Sequence, residues 1–183
     1  MPKRKSKILR YSNNLWFLGE GMLGPLFAVF AERIGGSILD ISSAWAIYLI
    51  TTGLLVILIG KVSDKGGNHE KLVTFGFGLN ALFTFGYLFV REPFHLFIVQ
   101  AGLGIATALS TPSWNSLYAK YEDKESTGYS WGLAVGQANI ATGIAIVIGG
   151  ILVAKYSFTA LFVTMGIIQI IATIYQSKII EKI

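Results

Sequence analysis

The 183-residue sequence contains no cysteine and few charged residues. Without cysteine, neither a disulfide nor a thiolate metal site is available, so the redox compartment cannot be inferred from the sequence. Asp, Glu, Lys and Arg together make up 14% of the residues, whereas 53% are hydrophobic. A typical soluble domain carries about 25% charged residues. This composition, with a mean hydropathy of +0.60, indicates that lipid is the solvent.

The hydrophobic residues form six blocks that are separated by short charged or Gly/Pro-containing links. A helix of about 20 residues crosses a ~30 Å hydrocarbon core, and continuous apolar runs favour helices over barrel strands, which alternate. We therefore predict an all-α membrane protein with one domain over residues 1–183. Its six transmembrane helices are expected at about residues 8–31, 41–62, 72–90, 94–119, 128–154 and 158–177.

Basic residues are distributed unevenly between the two ends of these six helices. The side that holds both termini carries twelve of the 15 Lys and Arg residues, and the other side carries only Arg33, Arg91 and Lys155. Loops rich in Lys and Arg stay in the cytoplasm. We therefore expect a cell-membrane protein with both termini in the cytoplasm. The net charge of +5 then reflects topology, and no nucleic-acid partner is expected.

The link between the second and third predicted helices carries a recognisable motif. It reads Gly60-Lys61-Val62-Ser63-Asp64-Lys65-Gly66-Gly67-Asn68-His69. This link resembles the loop signature of the major facilitator superfamily, G-x-x-x-D-[R/K]-x-G-[R/K]-[R/K], and has the family's position in the chain. The matching residues, which we interpret as a conformational gating loop, are Gly60, Asp64, Lys65 and Gly67. Residues 111–117 and Thr127-Gly128 are also similar to that family, although its membrane arginine in the fourth helix is absent.

The resemblance covers the chain as the N-terminal half of a transporter with about twelve spans. It implies two inverted three-helix repeats and a solute cavity between two six-helix halves. Because one copy cannot enclose that cavity, we expect a parallel homodimer in which Asp64 meets the partner's fifth helix near residues 126–130. The alternative is a non-transporting subunit, or one that pairs with a different six-helix chain.

Glu20 is the one acidic residue well inside a predicted span, about 18 Å from its cytoplasmic start at 1.5 Å per residue. Such residues usually mark a proton or substrate path, and the alternative is a protonated glutamate that bonds to a neighbouring helix. Three residues share its helical face, Asn13, Trp16 and Phe17, and we predict that they contact substrate or couple protons. Pro25 is expected to bend the helix just beyond Glu20.

A second polar stripe follows the fourth predicted helix. The family lines its cavity with the first and fourth helices, so the resemblance makes these residues substrate candidates: Gln100, Thr107, Thr111, Trp114 and Asn115. Asn139 in the fifth helix is a further candidate. The alternatives are interhelical hydrogen bonds for Thr and Gln and an interfacial anchor for Trp114.

Other polar or small residues in the spans have a structural interpretation. Gly132, Gly136 and Gly143 recur on the face of Asn139, and small residues at this spacing allow close helix packing. By family analogy their partner is the second helix of the other protomer. The isolated polar residues are expected to form interhelical hydrogen bonds, and they are Asn80, Gln137 and Gln169.

These features together predict a secondary active transporter of a small organic solute. It is expected to work by alternating access, with proton coupling through Glu20, and the lone acid and many aromatics favour a cationic or aromatic solute. No nucleophile motif or Walker loop predicts an enzyme, and His69 and His95 lack a second ligand at metal spacing. We expect no cofactor, and the partners are a second copy of the chain, membrane lipid, the solute and protons.

Overall fold

The computed structural model describes residues 2–66 and 68–180, which form seven α-helices and no strand. Two short 3₁₀ turns, Tyr87–Phe89 and Lys124–Ser126, extend α4 and precede α6. The helices are α1 (Pro2–Gly21), α2 (Leu26–Arg33), α3 (Ile38–Ser63), α4 (His69–Gly86), α5 (Pro93–Tyr121), α6 (Thr127–Lys155) and α7 (Phe158–Ser177).

Five of the described helices, α3 to α7, are long and apolar enough to cross a membrane, and α1 with α2 supplies a sixth span. This first span is bent by 44° between α1 and α2, so the segment expected over residues 8–31 is two helices rather than one. Pro25, the residue before α2, has no amide hydrogen and cannot continue the helical bonding. The bend expected at Pro25 is therefore present.

Polar side chains mark where three of the helices begin. Ser37 and Asp40 form a capping box at the start of α3, in which Ser37 N donates to Asp40 Oδ2 at 2.8 Å and Asp40 N donates to Ser37 Oγ at 3.2 Å. Asn68 caps α4 and Ser157 caps α7 in the same way, through one backbone amide each. These caps satisfy backbone amides that a helix start leaves unpaired. The helices can therefore begin directly after short links.

The first and fourth spans have an exchanged packing, in which each lies mainly against helices from the other half of the chain. α1 packs against α6 and α7, whereas α5 packs against α3 and α4. α4 and α7 also pack against each other. α1 and α5 are thus each held mainly by two other helices and have few direct contacts with each other. This arrangement leaves space between α1 and α5 for a cavity.

α3 and α6 are the least enclosed spans of the described chain. Only 6% of the α3 span and 17% of the α6 span are buried, against 39% to 50% for α4, α5 and α7. α6 approaches the break in the first span closely at Gly149, where a Cβ atom would overlap the carbonyl oxygen of Met22, the residue that follows α1. A Cβ at Gly136 or Gly143 would meet no atom within 4 Å. The outer side of α6 therefore has no packing partner among the described residues of its own chain.

Candidate functional site

A cavity of about 320 Å³ lies between α1, α5 and α6, with Tyr48 of α3 at its wall. Nine of the ten substrate and proton-coupling candidates from the sequence line this cavity. They are Asn13, Trp16, Phe17, Glu20, Thr107, Thr111, Trp114, Asn115 and Asn139. Residues three or four apart share one face of a helix, and the three candidate faces converge on this space.

A second cavity, of about 130 Å³, continues on the far side of Glu20. It is lined by Gln100, the tenth candidate, and by aromatic residues that include Trp45 and Tyr87. Glu20 and Tyr48 line both cavities. The two cavities therefore meet at this pair, one extending towards the end of the bundle that holds the chain termini and the other towards the opposite end.

Tyr48 is held at this boundary by α5. Its hydroxyl lies 3.2 Å from Thr107 Oγ1, and one turn further along α3 the Thr52 hydroxyl donates to the Gly104 carbonyl oxygen at 3.3 Å. A Cβ at Gly104 would approach the Tyr48 carbonyl oxygen to 2.9 Å. The absence of a side chain at Gly104 thus lets α3 lie close enough to α5 to place Tyr48 beside Glu20.

Glu20 lies in the last turn of α1, directly before the bend of the first span. Among the described side chains, no Lys, Arg or His forms an ion pair with it. Removing an unpaired carboxylate from water is costly unless it gains a proton or a cationic partner. The cavity wall beside Glu20 therefore has the chemistry to bind a proton or the positive group of a solute.

Trp114 belongs to the buried interior and is only 8% exposed. Its indole Nε1 donates to the Leu9 carbonyl oxygen at 3.1 Å, which joins α5 to α1. Its ring stacks on Tyr118 with centroids 4.8 Å apart, and Tyr118 contacts Trp131 of α6 at 5.0 Å. These contacts do not support the alternative role of Trp114 as an anchor at the membrane surface.

Tyr48, Ser110 and Trp131 also line the first cavity, although the sequence did not single them out. Tyr48 is hard to find because it is flanked by apolar residues in α3 and is not part of a polar stripe there. One signal was available, since Trp45 and Tyr48 are the only aromatic residues of α3. Trp131 lies about two helical turns before Asn139 in α6, so helical spacing from Asn139 could have made it a candidate.

The isolated polar residues of the spans divide into two groups. Gln169 Nε2 donates to the Trp16 carbonyl oxygen at 3.0 Å, and Asn14 Nδ2 donates to Gln137 Oε1 at 3.2 Å, so the interhelical bonds expected for Gln169 and Gln137 are confirmed. The prediction for Asn80 is wrong. Asn80 is fully buried, and neither amide atom has a partner among the described residues, because α4 packs closely on α5 and α7 without bringing a polar group within reach.

The proposed gating loop follows the end of α3. Asp64 and Lys65 are exposed, and the Asp64 side chain forms no hydrogen bond or ion pair within residues 2–66 and 68–180. Gly66 has a φ of +117°, a conformation that favours glycine and turns the chain towards α4. Gly60 lies in the last turns of α3, and Gly67 lies outside the described residues.

Comparison with known proteins yields one family over nearly the whole chain. The model of the Major Facilitator Superfamily matches residues 13–179. The chain belongs to the major facilitator superfamily. This confirms the resemblance seen in the loop motif, and the six spans form half of the fold of that family, with two inverted three-helix repeats. The exchanged packing of the first and fourth spans fits such repeats, and the protein is a multi-pass membrane protein of a transporter family.

Three relatives in the superfamily illustrate the range of chain lengths. An uncharacterized MFS-type transporter of Methanocaldococcus jannaschii is 29% identical over 91% of this chain, which covers 43% of that protein. A homolog of the multi-drug resistance efflux pump PmrA from Lactococcus lactis is 27% identical over 64% of this chain and 29% of its own length. The uncharacterized MFS-type transporter YitZ of Bacillus subtilis is 20% identical over 88% of this chain and 98% of its own length. The chain thus spans less than half of the first two relatives and nearly all of the third.

Proposed function

We propose that this chain is a secondary active transporter of a small organic solute, that it acts as a parallel homodimer in the cell membrane, and that both termini lie in the cytoplasm. The observation that carries the proposal is the pair of cavities that meet at Glu20 and Tyr48. A solute that moved from one cavity to the other would pass this single carboxylate. Family membership supports transport, and the excess of basic residues at the end with the termini supports the orientation.

The homodimer is supported by the open side of the bundle. α3 and α6 flank the cavity and are the least buried of the described spans, and on the outer side of α6 a Cβ atom added to Gly132, Gly136 or Gly143 would meet no described atom within 4 Å. A twofold axis along the membrane normal would pack α6 of each protomer against α3 of its partner. The partner would then close the cavity and supply the opposite wall.

The same geometry gives Asp64 a role in the proposed dimer. Asp64 directly follows α3, and in the proposed topology this end of α3 and the start of α6 at Thr127 lie on the same, cytoplasmic side. In the packing of α3 against the partner's α6, the carboxylate would lie near the positive end of that helix, which favours a negative charge. Rocking of one protomer against the other would make and break this contact, and Gly60 and Lys65 would move with it.

Proton coupling is supported by the surroundings of Glu20. The carboxylate has no basic partner among the described side chains, and aromatic rings line the space on both sides of it. Competition between a proton and a solute for one carboxylate would link their movements. Aromatic faces also attract organic cations by about 0.5–2 kcal/mol, which supports a cationic or aromatic solute.

Transport by proteoliposomes tests this proposal, with ethidium as a planar aromatic cation probe. A pH difference of one unit across the liposome should drive up to about tenfold accumulation for each exchanged proton. Glu20→Gln should abolish the response to the pH gradient. Glu92→Gln, which removes an exposed acid beside the start of α5, is the matched control and should respond like the native protein. If Glu20→Gln accumulates ethidium as the native protein does, coupling through Glu20 is wrong.

A further inference from the structure

A groove outside the transport cavity separates α6 from α7 and has α1 as its floor. Its volume is about 570 Å³, within the range of roughly 300–1,000 Å³ that is common for ligand sites. It is lined by Tyr11 and Leu18 of α1, Gln137, Ala141 and Ile144 of α6, and Tyr175 of α7. The glycine side of α6 that the proposed dimer would cover lies on a different face of that helix.

Cations gather at one end of this groove. The Lys178 ammonium lies 4.9 Å from the centre of the Tyr175 ring, and the Arg10 guanidinium carbon lies 6.0 Å from the centre of the Tyr11 ring. Arg10 Nε is buried and has no hydrogen-bond partner among the described residues. Lys7 is exposed one helical turn before Tyr11, on the same side of α1. This end of the groove therefore favours an anion.

Polarity falls steadily from this end towards the middle of the membrane. After the cations come Tyr11 and Tyr175, which meet edge to face with ring centres 6.5 Å apart. The next level is the amide pair of Asn14 and Gln137, joined at 3.2 Å. Beyond that pair the lining is aliphatic. From Lys7 to Leu18 the helix rises roughly 16 Å, which is about half of the ~30 Å hydrocarbon core.

This order matches the chemistry of one phospholipid in one leaflet. A phosphate is anionic, tyrosines prefer the membrane interface, glycerol esters are polar without charge, and acyl chains are apolar. Basic pockets between transmembrane helices on the cytoplasmic side are suited to anionic lipid head groups. We propose that the groove between α1, α6 and α7 is a binding site for an anionic phospholipid, whose head group contacts Lys7 and Lys178 and whose acyl chain lies against Ala141 and Ile144.

Native mass spectrometry of the purified protein tests this site, with phosphatidylglycerol as the anionic probe and phosphatidylcholine of the same chain length as the neutral one. Phosphatidylglycerol should bind more tightly. The double substitution Lys7→Gln with Lys178→Gln should weaken the binding of phosphatidylglycerol on the order of thirtyfold. The binding of phosphatidylcholine should not change. The matched control removes two positive charges from the opposite end, Arg91→Gln with Lys155→Gln, and should have no effect.

A second variant tests the acyl-chain part of the groove independently of charge. Ala141→Phe fills the groove and should weaken phosphatidylglycerol binding, whereas Ala154→Phe, at an exposed position near the other end of α6, should not. Glycerol 3-phosphate, which has the head-group phosphate without acyl chains, should not bind detectably. Equal binding of the two phospholipids overturns the proposal. So does an equal loss in the control pair, unchanged binding by Ala141→Phe, or tight binding of glycerol 3-phosphate.

Discussion

Gly136 lies on the outer side of α6, where a Cβ would meet no atom within 4 Å. Gly136→Leu should leave the fold of a single protomer intact, and should stabilise α6 by about 0.5–1 kcal/mol because glycine disfavours helix. In the proposed homodimer, the leucine would lie between α6 and the partner's α3, where close approach requires a small residue. This substitution therefore separates association from folding.

The expected size of the effect follows from steric cost and symmetry. A large side chain inserted into a packed contact typically costs about 1–3 kcal/mol. The twofold axis places Gly136→Leu at both α6–α3 contacts, so the total cost is about 2–6 kcal/mol. At about 1.4 kcal/mol for each factor of ten, the dimer Kd should rise between about thirtyfold and about 10⁴-fold.

Single-molecule photobleaching in liposomes measures the fraction of dimers as the protein is diluted in lipid. Gly149→Leu is the contrasting variant, because a Cβ there overlaps the Met22 carbonyl oxygen within the protomer, and it should lower the unfolding temperature. Gly136→Leu should lower only the dimer fraction. An unchanged dimer Kd for Gly136→Leu would refute the assignment of this face. A native chain that associates only with a different six-helix chain would favour the alternative of a hetero-oligomeric subunit.

Three further substitutions test separate parts of the structure. Asn80→Leu should raise protein stability by about 1–3 kcal/mol, because the native amide is buried without a described partner; a lower unfolding temperature would contradict this. Tyr48→Phe removes the hydroxyl that lies 3.2 Å from Thr107 Oγ1, and should cost about 1 kcal/mol of stability and weaken ethidium binding measured by fluorescence. Unchanged ethidium affinity would show that the Tyr48 hydroxyl does not shape the site. Asp64→Asn should slow ethidium transport without changing ethidium affinity, and an equal loss of both would place Asp64 in the binding site instead.

The six spans could be predicted because a bilayer imposes a length and an apolar composition on any helix that crosses it. The candidate faces could also be predicted, since a polar residue in a span is costly and recurs at helical spacing only where it has a use. Thus Glu20 was found from α1 alone, and Thr107 was found from the polar stripe of α5 together with the family resemblance. Both residues line the same cavity. Their roles in binding or coupling stay predictions.

Features that depend on two helices at once could not be predicted in this way. Tyr48 joins the site because Gly104 lets α3 approach α5, and nothing within α3 reports that approach. Asn80 was expected to find a partner, as most buried amides do, but whether one is within reach depends on how α4 packs between its neighbours. The groove beside α6 and α7 is likewise a gap between helices that has no pattern within either of them.

A bundle of apolar helices with one carboxylate deep in the first span follows from the sequence alone, because hydrophobic length and local charge are properties of single segments. The tertiary structure was needed to bring the polar faces of α1, α5 and α6 around the first cavity and to place Glu20 and Tyr48 where the two cavities meet. It also leaves one side of α6 without a packing partner among the described residues. These features depend on how each helix is rotated and how far it lies from its neighbours. Packing between helices fixes the rotation and the distance.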